Sequence, residues 1–184
     1  MIRIISEEEL SQGSDDWLEI RHKFVTGTDA VKLMRGEKIE NILRDKAQSK
    51  SVNTFYTVRG HVLEEDAKEL YGKLNGVQIQ NVGFVINDEY NYCGVSPDGL
   101  LGDDCVVEVK CFKPEVQLRE FKNLTPAIIA QTQYEMFVTQ RPYCQFIMYC
   151  PDITDLSKVL LTKRIEANMD AWKIFAERLG KAKQ

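Results

Sequence analysis

Asp98, Glu108 and Lys110 are the residues of this chain whose types and spacing could do chemistry together. Asp98 lies in Gly94-Val95-Ser96-Pro97-Asp98-Gly99-Leu100-Leu101, and the other two in Val106-Val107-Glu108-Val109-Lys110. The second segment is β-branched apart from its charged positions and reads as a short buried strand. Side chains alternate along a strand, so Glu108 and Lys110 share one face while Val107 and Val109 share the other. Pro97-Asp98-Gly99 is a turn tripeptide; with the Gly102-Asp103-Asp104 turn it lets the chain double back into a hairpin that sets Asp98 beside Glu108. A carboxylate pair on a sheet edge suits a hard divalent cation such as Mg²⁺, which takes one or two carboxylates and completes its octahedron with waters and substrate phosphate. A lysine two residues beyond the second acid can hold the attacking water or the phosphate.

The elements around this stretch must position it. A chain of 184 residues fits one domain, 1–184, large enough to bury a substantial core. No apolar run approaches the roughly 18 residues of a membrane span, and Met1-Ile2-Arg3-Ile4 does not read as a signal peptide, so a soluble, intracellular protein is expected. Cysteines at 93, 105, 111, 144 and 150 are odd in number and form no C-x-x-C pair. That argues against a disulfide framework or structural zinc and for reduced core thiols, with an iron–sulfur cluster as the minor alternative. The net charge of −4 gives no general attraction to nucleic acid, so any DNA contact must rest on local positive charge.

Ser14-Asp15-Asp16 predicts the cap of a helix carrying Trp17, Leu18, Ile20 and Arg21, with Trp17 read as core. Thr28 or Asp29 would cap a second helix through Ala30, Val31, Leu33 and Met34; amides at such a start, with Arg21 nearby, can hold an anion, although the arrangement is equally an ordinary cap. Residues 37–53 read as a charged helix with Ile39, Ile42 and Leu43 on one stripe and nothing catalytic. A longer amphipathic helix over Thr57–Leu74 would turn Leu63, Ala67, Leu70 and Leu74 inward. Glu64 shares the adjacent stripe with Gly60, Ala67 and Tyr71 and is expected to be half-buried, an acid in need of a partner that a metal or its waters could be.

Val77–Ile86 and Tyr90–Val95 read as strands that join Val106–Lys110 in an antiparallel meander of at least three strands. Phe112–Asn123 carries Lys113, Arg119 and Lys122, a local positive cluster. Pro126 opens an apolar helix that contains Gln131 and Gln133; buried amides need partners, and Gln133 is expected to face solvent. A strand over Tyr143–Tyr149, an edge strand at Val159–Leu161 and a helix from Glu166 to Leu179 capped by Gly180 complete one α/β domain, a mixed central sheet covered by helices.

Taken alone, Pro-Asp followed ten residues later by Glu-x-Lys is a weak match to the PD-(D/E)XK nuclease motif. Further segments agree with it: Gln12-Gly13-Ser14-Asp15-Asp16-Trp17 with Arg21; Val25-Thr26-Gly27-Thr28; Arg59-Gly60 with Glu64 and Ala67; and Ala130-Gln131-Thr132-Gln133-Tyr134. Together they resemble, over roughly residues 12–150 and in matching order, the lambda-exonuclease and YqaJ-type viral recombinase family. The resemblance implies a restriction-endonuclease-like (PD-(D/E)XK) fold and a Mg²⁺- or Mn²⁺-dependent exonuclease with one or two ions per site. Such an enzyme digests one strand of linear double-stranded DNA 5′ to 3′, works beside a single-strand annealing protein in phage-type recombination, and forms a homo-trimer in the bacterial cytoplasm.

Carried over by position, the resemblance implies that Asp98 and Glu108 bind metal with the Val109 carbonyl, and that Glu64 reaches a metal from its helix. Lys110 would hold the nucleophilic water, and Gln131 would orient a water or the scissile phosphate. Arg21 and Thr28 match positions that hold the terminal 5′-phosphate, although Gly27-Thr28 stands where the family's small pair is Ala-Ser. The alternatives are a sequence- or structure-specific endonuclease of the same fold and a catalytically idle DNA-binding or interaction protein. The intact Asp98, Glu108 and Lys110 argue against the latter.

Overall fold

The computed structural model describes residues 1–48 and 55–182, with side chains described there except at 55–59 and 61. The chain opens with strand β1 (Ile2–Ser6) and helix α1 (Asp15–His22), whose first turn is capped by the Ser14 hydroxyl accepting from the Trp17 amide. Short helix α2 (Ala30–Met34), then α3 (Ile39–Gln48) and the long α4 (Phe55–Asn75) lead to β2 (Val82–Asn87) and β3 (Gly94–Val95). Next come β4 (Gly99–Leu101), β5 (Cys105–Cys111), α5 (Pro114–Lys122) and α6 (Pro126–Thr139). Strands β6 (Tyr143–Tyr149) and β7 (Leu160–Glu166) and helix α7 (Met169–Leu179) close the fold.

The strands form an antiparallel sheet β1-β2-β3 and a mixed sheet β4-β5-β6-β7. The β5–β6 pairing is parallel, Cys105 opposite Tyr143 through Cys111 opposite Tyr149, because α5 and α6 return the chain to the same end of the sheet. Asp98 sits in the turn that passes the chain from one sheet to the other, between β3 and β4.

Two apolar layers grip the mixed sheet. On one side Tyr134, Phe137, Phe175, Leu33 and Ile42 pack with Val85, Val95, Leu100, Val106 and Cys144; on the other, Ala67 and Tyr71 of α4 pack on Cys105, Val107, Val109 and Ile147. Helix α6 is therefore buried over most of its surface, which explains why its sequence shows no regular polar stripe.

Several expectations need correction. The strand over Val77–Ile86 begins only at Val82, and Tyr90–Val95 contributes only Gly94 and Val95, because the Asn87–Tyr90 turn extends further than its composition suggested. Strand β5 pairs with β4 and β6 rather than joining β2 and β3 in one meander. On α4 Ala67 and Tyr71 are buried and Leu63, Glu64 and Leu70 half-buried, while Leu74, expected to face inward, is exposed. Gln133 is buried and donates to the Glu166 carbonyl at 2.8 Å while accepting from the Asn168 amide at 2.7 Å, tying α6 to the start of α7. That helix begins at Met169 behind an Asn168 cap because Glu166 belongs to β7. The part of the predicted 37–53 helix beyond residue 48 lies outside the described residues.

Candidate active site

The β4–β5 hairpin pairs Gly99 with Val107, so the next residue on each side brings Asp98 alongside Glu108. Gly102, at φ +59°, supplies the left-handed residue its turn requires, and the buried Arg141 guanidinium holds the turn by donating to the Gly102 and Cys105 carbonyls. Beyond Val107 the edge of β5 is no longer paired to β4; there the Val109 amide donates to Asp98 Oδ2 at 2.6 Å. The N–H and C=O of one strand residue point the same way, so the Val109 carbonyl lies on the edge that Asp98 occupies.

Three further residues fix Asp98. Gln12 Nε2 donates to the Val82 carbonyl at 2.9 Å and the Pro97 carbonyl at 3.0 Å. Trp17 Nε1 donates to Ser96 Oγ at 2.8 Å and the Gly83 carbonyl at 3.1 Å, so Trp17, expected as plain core, is half-buried and pins the turn before Asp98. Lys68 donates to the Asp98 carbonyl at 3.1 Å and to Asn81 at 2.9 Å. Glu64, half-buried on α4, lines with Asp98, Glu65, Lys68, Gln12, Glu7 and Asn81 a polar cavity of about 150 Å³.

On the other side of Asp98, Glu108 is fully buried and accepts from Lys110 Nζ, and from Gln131 Nε2 at 2.6 Å. Gln131 also donates to Oε1 of Glu135, one turn along α6, at 2.9 Å. Glu135 is a residue that sequence reasoning missed; its signal was a lone acid four residues beyond Gln131 in an apolar helix. Burial, and then the neighbouring Glu108, push the Asp98 carboxyl up to about 7. Burial and Glu108 likewise raise Glu135 well above the carboxylate range. Burial opposes the Lys110 charge, but Glu108 and Asp98 outweigh it and hold the ammonium above its ordinary value.

Buried negative charge in excess of its lysine is what a divalent cation relieves, and the donor set of two carboxylates, a strand carbonyl and a nearby glutamate is all oxygen. Among the described residues no three His, Cys, Asp or Glu side chains cage a cation by themselves. Mg²⁺, which keeps several waters and shares substrate phosphate, needs no such cage.

Arg21 stacks on the Trp17 ring, its guanidinium carbon 4.2 Å from the centroid, while the neighbouring Glu19 pairs with Lys23. Burial lowers the Arg21 guanidinium, and Asp29, Glu135, Glu108 and Asp98 oppose that, which puts the side chain in the field of the acid cluster. Thr28 is exposed in a 3₁₀ turn, Gly27–Asp29, which Thr26 caps; Asp29 stands at the N-cap of α2, one of the two positions expected, but its side chain accepts from the Thr26 amide rather than from the helix. Lys46, from the helix in which nothing functional was expected, locks this turn by donating to the Phe24 carbonyl, Thr26 Oγ1 and Asp29 Oδ2 at 2.9, 2.9 and 2.6 Å. Asp98, Glu108, Val109, Lys110 and Gln131 thus meet at the β4–β5 edge and Glu64 shares a cavity with Asp98, whereas Arg21 is held on Trp17 of α1 and Thr28 lies on the turn packed against α6; Arg59 of the family pattern falls among the side chains not described. Cys93, Cys105 and Cys144 are buried and free, as core thiols are expected to be; Cys150 is buried as well, and Cys111 is partly buried.

Residues 16–142 match the model of the YqaJ-like viral recombinase domain. An alkaline exonuclease from Laribacter hongkongensis is similar in structure, with 24% identity over 90% of this chain and 92% of that one and a TM-score of 0.71. In its complex with dAMP the TM-score is 0.77, over 90% and 89% of the two chains at 24% identity. A phage-related exonuclease from Haemophilus somnus is similar at 15% identity, over 88% of this chain and 92% of that one, with a TM-score of 0.61. Comparison with curated proteins gave no match.

Proposed function

Because this chain belongs to the YqaJ-like viral recombinase family, we propose that it is a Mg²⁺-dependent exonuclease that hydrolyses one strand of linear duplex DNA from its 5′ end. The observation that supports this best is the meeting of Asp98, Glu108 and Lys110 on the β4–β5 edge, with Gln131 against Glu108. Asp98, Glu108 and the Val109 carbonyl would hold the cation, with Glu64 approaching from α4. Bound there, Mg²⁺ or Mn²⁺ would supply charge to neutralise the scissile phosphate and to make water a better nucleophile. Lys110 holds the water in line with the phosphorus, and Gln131 orients it. Arg21 and Thr28 receive the terminal 5′-phosphate, which sets the position of cutting one nucleotide in from the end.

The substrate is polyanionic and the chain carries net charge −4, so general attraction contributes little to holding it. A closed homo-trimer encircling the duplex would retain DNA without a basic surface, and a single-strand annealing protein would receive the strand left behind.

Strand polarity tests the reading. With Mg²⁺, a duplex labelled at one 5′ terminus should release its label as mononucleotide in the first turnovers, while a label at the 3′ terminus of the same strand should appear last. Early release of the 3′ label would overturn the proposed direction.

A further inference from the structure

Glu135 has no part in the roles assigned above, yet it is only 2% exposed and sits within the cluster. Its Oε1 accepts from Gln131 Nε2 at 2.9 Å, and the same nitrogen donates to Glu108 Oε1 at 2.6 Å. An amide nitrogen has two hydrogens, and here each has a carboxyl oxygen of its own. The reversed orientation would press the Gln131 oxygen against Glu108 Oε1, which is ion-paired to Lys110, so chemistry fixes which way the carboxamide points. Its oxygen is thereby turned away from Glu108 and Glu135, and among the described residues nothing donates to it.

Two more observations set Glu135 apart from an ordinary core residue. Its Oε2 is buried without a hydrogen-bond partner among the described residues, an expense that packing alone does not explain. At Gly27, a Cβ would stand 2.8 Å from Glu135 Oε1 and 3.0 Å from Gln131 Cγ. Glycine leaves the room that the Glu135 carboxyl and the Gln131 stem occupy, which gives a physical reason for Gly27 in the turn that carries Thr28.

We propose that Glu135 is a positioning residue that clamps the Gln131 side-chain nitrogen against Glu108 and so presents Gln131 Oε1, an acceptor, to the attacking water. The inference rests on the nuclease reading for its consequence and on the α6 geometry for its mechanism. It also decides between the two duties open to Gln131: a fixed acceptor serves the water, which has hydrogens to give, and not a phosphate oxygen, which has none.

The test uses Glu135→Met, which keeps the length of the side chain and removes the strong acceptor, and Glu135→Gln, which keeps an acceptor for the Gln131 nitrogen. Glu135→Met should lower kcat on 5′-phosphorylated duplex by about ten- to a hundredfold at nearly unchanged KM, the cost of a misdirected group rather than of a lost substrate contact. Glu135→Gln should restore most of the rate. Gly27→Ala, which presses on the carboxyl, should slow the wild type more than it slows Glu135→Met. In the wild type the Gln131 side-chain amide hydrogens should exchange with solvent more slowly than those of the exposed Gln78, and Glu135→Met should lose that protection. A folded Glu135→Met with kcat within about twofold of wild type overturns the proposal. So does fast exchange at Gln131 in the wild type, a readout independent of folding in any variant. A wild type that protects Gln131 yet fails to cut DNA would sink the nuclease reading and leave the clamp standing.

Discussion

Replacing any one of Asp98, Glu108 or Lys110 by alanine should lower the rate of DNA hydrolysis by about a thousandfold or more, because metal-assisted steps are worth several kcal/mol. The fold should survive each change. Asp98→Ala gives up the bond from the Val109 amide, a loss of about 1 kcal/mol on the usual scale for one hydrogen bond. Glu108→Ala removes the acceptor of Lys110 and Gln131 but also lifts the repulsion that adds to burial in raising Asp98 and Glu135. Lys110 is partly exposed at the edge of the sheet, and its backbone stays in the β5–β6 ladder whatever its side chain. Initial rates with purified variants whose melting transitions are cooperative check this. Activity within tenfold of wild type in any one of the three would remove that residue from the reaction.

The second large effect belongs to the DNA end. A duplex with a 5′-phosphate should be digested about ten- to a hundredfold faster than the same duplex with a 5′-hydroxyl, since a charge-assisted contact is worth roughly 1.5–3 kcal/mol. Arg21→Ala should erase most of that preference. Stacking on Trp17 holds the Arg21 guanidinium, so ordering it on the phosphate costs little further entropy. Lys46 and Asp29 hold the turn beneath Thr28 in the same way. Thr28 stands where the family has serine, and its hydroxyl can still donate, so Thr28→Ala should weaken the preference less than Arg21→Ala does. Equal rates on both kinds of end in the wild type would detach Arg21 and Thr28 from this role while leaving the acid cluster untouched.

What could be read from the sequence follows from how local each signal was. Asp98, Glu108 and Lys110 were legible because one tight hairpin joins them, and turn residues and period-two alternation are both written within fourteen residues of chain. The edge strand near residue 160 was legible for the same reason, its residues alternating half-buried and exposed. Glu135 and Gln133 were not. Helix α6 is covered over most of its surface, so it has no broad solvent face by which periodicity could sort its polar residues; Glu135 acts through Gln131, whose other partner Glu108 lies 23 positions away, and the partners of Gln133, Glu166 and Asn168, lie 33 and 35 away. Strand β1 was missed because it is an edge strand of mixed exposure whose pairing to β2 is some 80 residues distant in sequence. Trp17 was typed by its apolar body, whereas its work is done by the one polar atom that reaches Ser96. Contacts of long sequence separation determined each of these, and no local pattern records them.

The central claim is that a divalent cation on the Asp98–Glu108 edge drives hydrolysis from a DNA end. Incubating the wild-type protein with an equimolar mixture of linear and covalently closed circular duplex, in Mg²⁺ and in excess chelator, tests it most directly. Loss of the linear species alone, and only with Mg²⁺, is the expected result; cutting of the closed circle, or digestion that persists in chelator, would contradict it.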